Sequence, residues 1–144
     1  MIAHVATVVA IEGRGVMIEG APGSGKSALA LALIDRGAFL VGDDGVMLEA
    51  TETAVIARPH PRTRGLLEIR NLGLVPVAVC EQVEVTLVIR LDPQAPRFVE
   101  AAHSVERIGV ALPCIALWPD PSPPVLKVEQ ALRLYGRPMP VFWT

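Results

Sequence analysis

The residues from Gly20 to Ser27 read GAPGSGKS and match the phosphate-binding pattern GxxxxGK[ST] at every fixed position. In this pattern the glycines let backbone amides curl around a phosphate, the lysine contacts the β- and γ-phosphates, and the hydroxyl binds magnesium. A chance match in a chain of this length is expected in fewer than about one protein in a hundred. The sequence therefore predicts a site for a nucleoside triphosphate with Mg²⁺, formed by Gly20, Ala21, Pro22, Gly23, Ser24, Gly25, Lys26 and Ser27.

Two adjacent acids, Asp43 and Asp44, follow the apolar run AFLVG. A phosphoryl-transfer enzyme needs an acid for its metal and a group that activates or positions the nucleophile. Neighbouring carboxylates repel each other, and a nearby magnesium and lysine would relieve that repulsion while leaving one acid as a proton acceptor. The alternative is a plain turn before Gly45, since Asp-Gly is a strong turn signal. Asp92, which ends another apolar run and precedes a proline, is interpreted as a turn residue.

The helices and strands that must position these residues are predicted from the spacing of apolar residues and from turn-forming residues. Apolar, β-branched residues at 5–11 and 15–19, separated by EGRG, predict a hairpin that leads into the phosphate loop. Strong helix formers at 26–36, followed by Gly37, predict a buried helix. The run 38–42 is typical of a strand in a parallel sheet. Further strands are predicted at 46–49, 54–57, 66–69, 74–79, 83–91 and 110–118, and an amphipathic helix at 125–135.

The remaining segments are predicted to lack regular structure. Residues 92–109 are polar and punctuated by prolines, which favours a mobile loop, and PDPSPP favours a stiff linker. The tail carries Phe142 and Trp143 among prolines. Such an apolar end is expected to dock on a neighbouring subunit.

Composition narrows the class of protein. A chain of 144 residues is typical of one domain, so 1–144 is predicted to be a single catalytic domain. A net charge of -2 and only two tryptophans, one tyrosine and three phenylalanines argue against nucleic-acid binding. The apolar runs are too short to cross a membrane and the N-terminus resembles no export signal, which favours the cytoplasm. Cys80 and Cys114 lack CxxC spacing and are interpreted as reduced core residues, and the histidines lack zinc-site spacing.

Three separated stretches resemble the catalytic domain of bacterial HPr kinase/phosphorylase. The phosphate loop, a helix ending in Arg-Gly and an apolar strand ending in Asp-Asp occur from Gly20 to Asp44. LLEIRNLGLV at 66–75 is similar to the family's signature segment, and ERIG at 106–109 to a later Asp/Glu-Arg-aliphatic-Gly element. The resemblance covers residues 4 to 110. It implies an α/β fold that contains a P-loop, with a mixed β-sheet core and few helices, of the HPr kinase and phosphoenolpyruvate carboxykinase type.

The resemblance also implies catalytic and metal-binding roles. Asp43 matches the acid that takes the proton from the target serine in the kinase direction and returns it in phosphorolysis. Lys26 matches the phosphate-binding lysine, and Arg107 matches an arginine that acts on the phosphates. Ser27 and Glu68 match the magnesium ligands.

Two further residues have looser assignments. His4 is similar to a histidine upstream of the loop once a one-residue insertion is allowed, and a strand histidine without a role is the alternative. Asp44 is interpreted either as an acid near the metal or as the residue that turns the chain at Gly45.

The activity that the resemblance implies is ATP-dependent, magnesium-requiring phosphorylation of a serine of the phosphocarrier HPr, which regulates the phosphotransferase system. The family also implies a homo-oligomer, a hexamer, and the chain resembles its short, single-domain forms. Asn71 replaces a signature glycine, Ala28 replaces a frequent acid, and 123–130 lack the Pro-Gly-Arg that the family associates with phosphorolysis. The sequence therefore favours the kinase direction.

Two other functions stay open at this point. One is a small-molecule kinase, whose arginine-rich lid would have to use Arg97 and Arg107. The other is a nucleotide-binding regulator without transfer activity.

Overall fold

The computed structural model describes residues 1–119 and 122–138. These residues form eleven strands and two helices in a mixed α/β arrangement. In chain order they are β1 (Ile2–His4), β2 (Thr7–Ile11), β3 (Arg14–Gly20), α1 (Lys26–Asp35), β4 (Phe39–Gly42), β5 (Val46–Ala50), β6 (Val55–Pro59), β7 (Leu66–Ile69), β8 (Gly73–Pro76), β9 (Val83–Leu91), β10 (His103–Arg107), β11 (Val110–Leu117) and α2 (Val125–Tyr135).

Strand β9 is the centre of a nine-stranded mixed sheet. One edge of β9 pairs with β3 in parallel. The other edge pairs with β6 in antiparallel near its start and with β11 in parallel near its end. The full path runs β1-β5-β6-β9-β3-β2-β4, with β10 outside β11, while β7 and β8 form a separate two-stranded sheet. The nearly continuous apolar sequence of β9 suits a strand buried on both faces.

The phosphate loop and the paired acids reach the same edge of this sheet. Both β3 and β4 pair with β2 in antiparallel, so they run in the same direction and end together. The prediction that 38–42 lies in a parallel sheet holds only in part, because β4 pairs with β2 in antiparallel and its parallel pairing is limited to an isolated bridge between Leu40 and Val79. Leu40 packs against the core on one face of the sheet, and Val41 packs on the other face. The apolar run therefore indicates a strand that is buried on both faces, and it does not indicate the direction of that strand.

Two apolar clusters occupy the two faces of the sheet. One contains residues of α1 and α2, among them Leu29 and Leu132, packed on β3 and β9. The other contains Met17, Leu48 and Leu112 from β3, β5 and β11. The expected core position of Cys114 is confirmed, while Cys80 is half-buried, and both thiols are free. Helix α1 begins and ends within one residue of its prediction, but Leu31 is exposed, so its burial is only partial.

The structure corrects the interpretation of residues 92–109 as a loop. Residues 103–107 form β10, which pairs with β11 and is mostly exposed, and its sequence lacks the apolar content of a buried strand. The predicted strand at 74–79 is shorter, and Val79 makes only an isolated bridge with Leu40. The predicted strand at 5–11 is shortened to β2, which begins at Thr7, and β1 at Ile2–His4 was not predicted.

Several other expectations can be compared directly. The turn role of Asp92 is confirmed, because its Oδ1 accepts a hydrogen bond from the amide of Gln94 at 2.8 Å. The amphipathic helix α2 is also confirmed. Phe142 and Trp143 lie outside the described residues, as does part of the predicted linker. Within 1–119 and 122–138, no helix has the length and apolar content needed to cross a membrane.

Candidate active site

The phosphate loop connects β3 to α1 and has the geometry of an anion site. Gly23 and Gly25 have positive φ angles of 79° and 102°, and a Cβ built on either would meet nothing within 4 Å. Helix α1 begins after Gly25 without a side-chain cap or an acid in its first turn. Its first amides therefore point toward the open space beside the loop, where the helix dipole favours negative charge. These features fit a phosphate chain.

Lys26 lies at the mouth of this loop. Its Nζ donates a hydrogen bond to the carbonyl oxygen of Gly20 at 2.9 Å and a longer one to that of Ala21 at 3.4 Å. The ammonium group is thus held over the loop by weak neutral acceptors. It can exchange these acceptors for phosphate oxygens, which bind a cation more strongly.

A cleft of about 800 Å³ opens beside the loop, between α1 and the β7–β8 hairpin. Its volume lies in the range typical of small-molecule sites. Lys26, Ser27, Asp44 and Glu68 line it together, although they come from three separate parts of the chain. The larger apolar side chains of the lining are Val5, Leu31, Ile69 and Leu72.

Asp43 lies beneath this cleft and holds its floor together. Its side chain is buried, and its Oδ1 accepts hydrogen bonds from Ser27 Oγ at 2.7 Å and from Thr7 Oγ1 at 3.1 Å. Its Oδ2 accepts a hydrogen bond from the amide of Glu68 at 2.9 Å. One carboxylate therefore joins β2, α1 and β7.

Asp44 has a different environment from its neighbour. It is exposed and lines the cleft, whereas Asp43 does not. Its backbone is left-handed, with a φ of 55°, and its amide donates to Thr7 Oγ1 at 3.1 Å. A Cβ at Gly42 would collide with the carbonyl oxygen of Gly45, so the bend is tight. Asp44 therefore belongs to a turn and also faces the site.

Glu68 faces the cleft from β7. Leu67 is fully buried while Glu68 is exposed, as expected for neighbouring residues of a strand, whose side chains point to opposite faces. Glu68, Asp44 and the Ser27 hydroxyl supply oxygen atoms on one cleft, and oxygen is the ligand that Mg²⁺ prefers. In the part of the chain that the structure describes, no group of three His, Cys, Asp or Glu residues could hold a metal by itself. The donor set suits magnesium, which is commonly held by one or two carboxylates together with substrate phosphates.

His4 and Arg107 lie together, and both contact Glu19. His4 Nε2 is 2.9 Å from Glu19 Oε2, while Arg107 donates through Nε at 3.0 Å and through Nη2 at 2.5 Å to the two carboxylate oxygens. A third donor of Arg107, Nη1, reaches the carbonyl oxygen of Glu106 at 2.8 Å. Neither His4 nor Arg107 is among the residues that line the cleft, so the structure does not bring them to Lys26.

The charge of Glu19 is set by these partners. Burial alone would raise its pKa, but hydrogen bonds from Arg107 and His4, together with their charges, outweigh burial and lower the pKa of this carboxyl. In turn, the hydrogen bond to Glu19 raises the pKa of Arg107. Glu19 directly precedes Gly20, so this ion pair lies beside the entrance to the phosphate loop.

Sequence reasoning missed two residues of this region, Thr7 and Glu19. Thr7 is a single hydroxyl in the apolar stretch ATVVAI, and periodicity gives it no special weight. Glu19 carried a usable signal, because an acid at the end of a buried strand needs a partner. The partner itself, Arg107, lies 88 residues further along the chain.

Comparisons with known proteins agree on one family. The family model described as HPr Serine kinase C-terminal domain matches residues 2–114. The chain is similar to the HPr kinase/phosphorylase of Chlorobium chlorochromatii, 36% identical over 125 residues, which are 77% of this chain and 38% of that protein. It is 37% identical over 92 residues to the HPr kinase/phosphorylase of Clostridium acetobutylicum, covering 59% of this chain and 30% of the relative. The chain thus spans well under half the length of these relatives.

A solved structure shows the same fold. The Hpr(Ser) kinase/phosphatase from Coxiella burnetii matches with a TM-score of 0.82 and 29% sequence identity. The match covers 92% of this chain and 89% of that one.

Proposed function

Because the chain belongs to the HPr serine kinase C-terminal domain family, we propose that it is an ATP-dependent protein-serine kinase that phosphorylates the phosphocarrier HPr. The observation that carries the proposal is the convergence of Lys26, Ser27, Asp44 and Glu68 on one cleft beside the phosphate loop. In this proposal residues 1–144 act as one catalytic domain. The similarity to relatives named HPr kinase/phosphorylase supports it.

The loop fits the triphosphate of ATP, and the oxygen donors fit Mg²⁺. Backbone amides from Gly20 to Ser27 and the ammonium of Lys26 would hold the β- and γ-phosphates. Ser27 and Glu68, on the same cleft, would hold the magnesium ion, which leaves Asp44 free for proton transfer. When bound, Mg²⁺ would neutralise charge on the phosphate oxygens.

The reaction then needs a base beside the target serine. Serine is a weak nucleophile at neutral pH, so a carboxylate within hydrogen-bond reach accepts its proton. The serine oxygen bonds to the γ-phosphorus while the bond to ADP breaks, and Lys26 stabilises the phosphate charge.

The geometry favours Asp44 over Asp43 as this base. Both oxygens of Asp43 already accept hydrogen bonds, and its side chain is buried beneath Ser27. Asp44 is exposed to the cleft in which the serine must meet the γ-phosphate. We therefore assign proton transfer to Asp44 and the orientation of Ser27 to Asp43, which reverses the assignment that the sequence resemblance implied.

Exchanging each acid for its amide separates the two roles. We expect Asp44→Asn to lower kcat by about 100-fold or more and to leave ATP binding nearly unchanged, because general base catalysis contributes 10²–10⁴-fold. Asp43→Asn is expected to weaken binding of magnesium and ATP, because the amide lacks the charge and places an NH2 donor against either the Glu68 amide or the Ser27 and Thr7 hydroxyls, which disturbs the position of Ser27. Phosphoserine formation on purified HPr, followed by mass spectrometry, measures transfer, and calorimetry measures ATP binding.

Asp92→Asn is a matched control, because Asp92 directly follows β9 at the same sheet edge, accepts a turn hydrogen bond from the Gln94 amide and does not line the cleft. This variant should transfer phosphate at the wild-type rate. Absence of HPr phosphorylation by the wild-type protein would refute the proposed function. An active wild-type protein with an equally active Asp44→Asn variant would refute only the assignment of the base.

Three parts of the proposal rest on the family resemblance. They are action in the cytoplasm on the phosphotransferase system, assembly into a homo-oligomer such as a hexamer, and preference for the kinase direction. The preference for the kinase direction is supported by residues 123–130, which carry no Pro-Gly-Arg and include the start of α2. The two arginines that a small-molecule kinase was expected to use as a lid do not line the cleft, because Arg107 contacts Glu19 and Arg97 lies over the ring of Phe98, although Arg70 does line it.

A further inference from the structure

Thr7 connects the two acids of the site through a single hydroxyl group. The residue begins β2 and is fully buried. Its Oγ1 donates a hydrogen bond to Asp43 Oδ1 and accepts one from the amide of Asp44, each at 3.1 Å. A hydroxyl has one proton and two acceptor lone pairs, so both bonds can form at once.

The hydrogen bond from the Asp44 amide to Thr7 holds a residue whose backbone is left-handed. Residues other than glycine rarely adopt a positive φ, although aspartate tolerates it better than most. The Asp44 φ of 55° sets the direction in which its side chain leaves the backbone, and the residue lines the cleft. Thr7 fixes the peptide group between Asp43 and Asp44, because it holds that amide.

The hydrogen bond from Thr7 to Asp43 affects the phosphate loop. Asp43 Oδ1 is shared between Thr7 and Ser27, the residue of the loop that would bind magnesium. A fixed Thr7 hydroxyl therefore holds the carboxylate that orients Ser27. The same buried group thus positions a base and, through one carboxylate, a metal ligand.

We propose that Thr7 is a positioning residue for phosphoryl transfer, holding the Asp44 carboxylate toward the cleft and the Asp43 carboxylate against Ser27. This inference rests on the proposed function, since it assigns no contact between Thr7 and a substrate. Its main effect is on kcat, because loss of the hydroxyl misplaces the base while Asp43 keeps its hydrogen bonds with Ser27 and the Glu68 amide.

The test compares variants with and without the hydroxyl. Thr7→Val keeps the shape of the side chain and removes the hydroxyl, and we expect kcat for HPr phosphorylation to fall about ten-fold, the loss that one hydrogen bond of about 1.4 kcal/mol would cause. The dissociation constant for ATP should stay within about two-fold of wild type. Thr7→Ser keeps the hydroxyl and is expected to restore most of kcat. Thr7→Ala supplies a second hydroxyl-free variant if Thr7→Val does not fold.

Thr86→Val is the matched control for burial and for loss of a buried hydrogen bond. Thr86 is also fully buried in a strand, and its Oγ1 donates to the carbonyl oxygen of Gly15 at 3.0 Å, at the start of β3 and away from the loop. This variant should keep the wild-type kcat. A similar loss of kcat in Thr86→Val, or no recovery in Thr7→Ser, would assign the effect to packing and overturn the inference.

Amide hydrogen exchange tests the geometry without any assay of activity. The Asp44 amide should exchange faster in Thr7→Val and at the wild-type rate in Thr7→Ser. Wild-type protection of Asp44 and an unchanged kcat in a folded Thr7→Val variant would overturn the inference. If the wild-type protein does not phosphorylate HPr, the proposed function fails, and so does the catalytic role of Thr7, while the exchange rates still decide whether its hydroxyl holds Asp44.

Discussion

Glu19 lies in a mostly apolar strand, and its carboxylate contacts two residues that are distant in the sequence, His4 and Arg107. Its carboxylate is mostly buried and accepts a bidentate pair from Arg107 and a contact from His4. Bidentate pairs of this kind are among the stronger charge-assisted hydrogen bonds. At the scale of single residues, Glu19 therefore holds the β10–β11 hairpin against the end of β3.

Glu19→Gln should destabilise the protein in a pH-dependent way. Because its partners lower the folded-state pKa of Glu19, the charged form adds stability above the ordinary carboxyl pKa of 4.5. That stability is lost as the pH falls through the lowered folded-state value. We expect a loss of about 1–3 kcal/mol near neutral pH that shrinks toward zero in strong acid. Urea unfolding at a series of pH values measures it.

Glu106→Gln is the control for this measurement. Glu106 is exposed, and only its backbone carbonyl contacts Arg107. Its substitution should leave the pH dependence of stability unchanged. Equal losses for Glu19→Gln at neutral and at acid pH would contradict the assigned role of the Glu19 charge.

Two of the β-hairpins have turns in which both central residues adopt a positive φ angle. Between Ile11 and Arg14, Glu12 and Gly13 have φ angles of 49° and 81°. Between β10 and β11, Ile108 and Gly109 have φ angles of 44° and 85°. Positive φ at both central residues defines the tight hairpin turn in which Asn-Gly is favoured. Glutamate and isoleucine at the first position are therefore strained.

The consequences of this strain differ between the two turns. Ile108 is half-buried and packs against the apolar cluster that contains Met17 and Leu112, so packing offsets its backbone cost. That turn also carries Arg107 toward Glu19. Glu12 is exposed and has no comparable compensation.

Glu12→Asn should therefore stabilise the protein. Asparagine tolerates a left-handed backbone better than glutamate, and we expect a gain of about 0.5–1 kcal/mol. The midpoint of urea unfolding measures the gain. Glu52→Asn, at an exposed turn residue without a positive φ, should give no gain, and equal gains in both variants would contradict the strain at Glu12.

On the scale of the whole molecule, Arg14 links the first hairpin to the last helix. Its Nη2 donates to the carbonyl oxygens of Leu132 at 3.2 Å and of Arg137 at 2.7 Å. These acceptors lie at and just beyond the carbonyl end of α2, where a cation also complements the helix dipole. Arg14 lies at the start of β3, so the last turn of α2 is held at the sheet edge opposite the phosphate loop.

Arg14→Met should cost about 1–3 kcal/mol, because two half-buried carbonyls lose a charged donor. Thermal unfolding measures the loss, and hydrogen exchange should show faster opening of the last turn of α2. Arg36→Met is the comparison, since Arg36 also reaches α2, through Glu129, but on the exposed surface. Such exposed pairs contribute little, so a loss as large as that of Arg14→Met would contradict the importance of burial.

The phosphate loop was predictable because all of its determinants are contiguous. Glycines with positive φ, a lysine and a hydroxyl in eight consecutive residues specify the loop without reference to the rest of the chain. Both helices and the long strand β9 were predictable for the same reason, since their periodicity is local. The strand direction of β4 and the existence of β10 were not, because pairing partners are chosen by residues far away in sequence.

The sequence by itself thus determined the loop, the apolar elements around it and, through three motifs, the family. Only the tertiary structure decided that Asp43 lies beneath Ser27 while Asp44 faces the cleft. Asp43 meets Thr7 across 36 residues and Glu68 across 25, and Glu19 meets Arg107 across 88. Such contacts follow from the packing of the sheet and leave no periodic mark in the sequence, because a single buried polar residue carries no period.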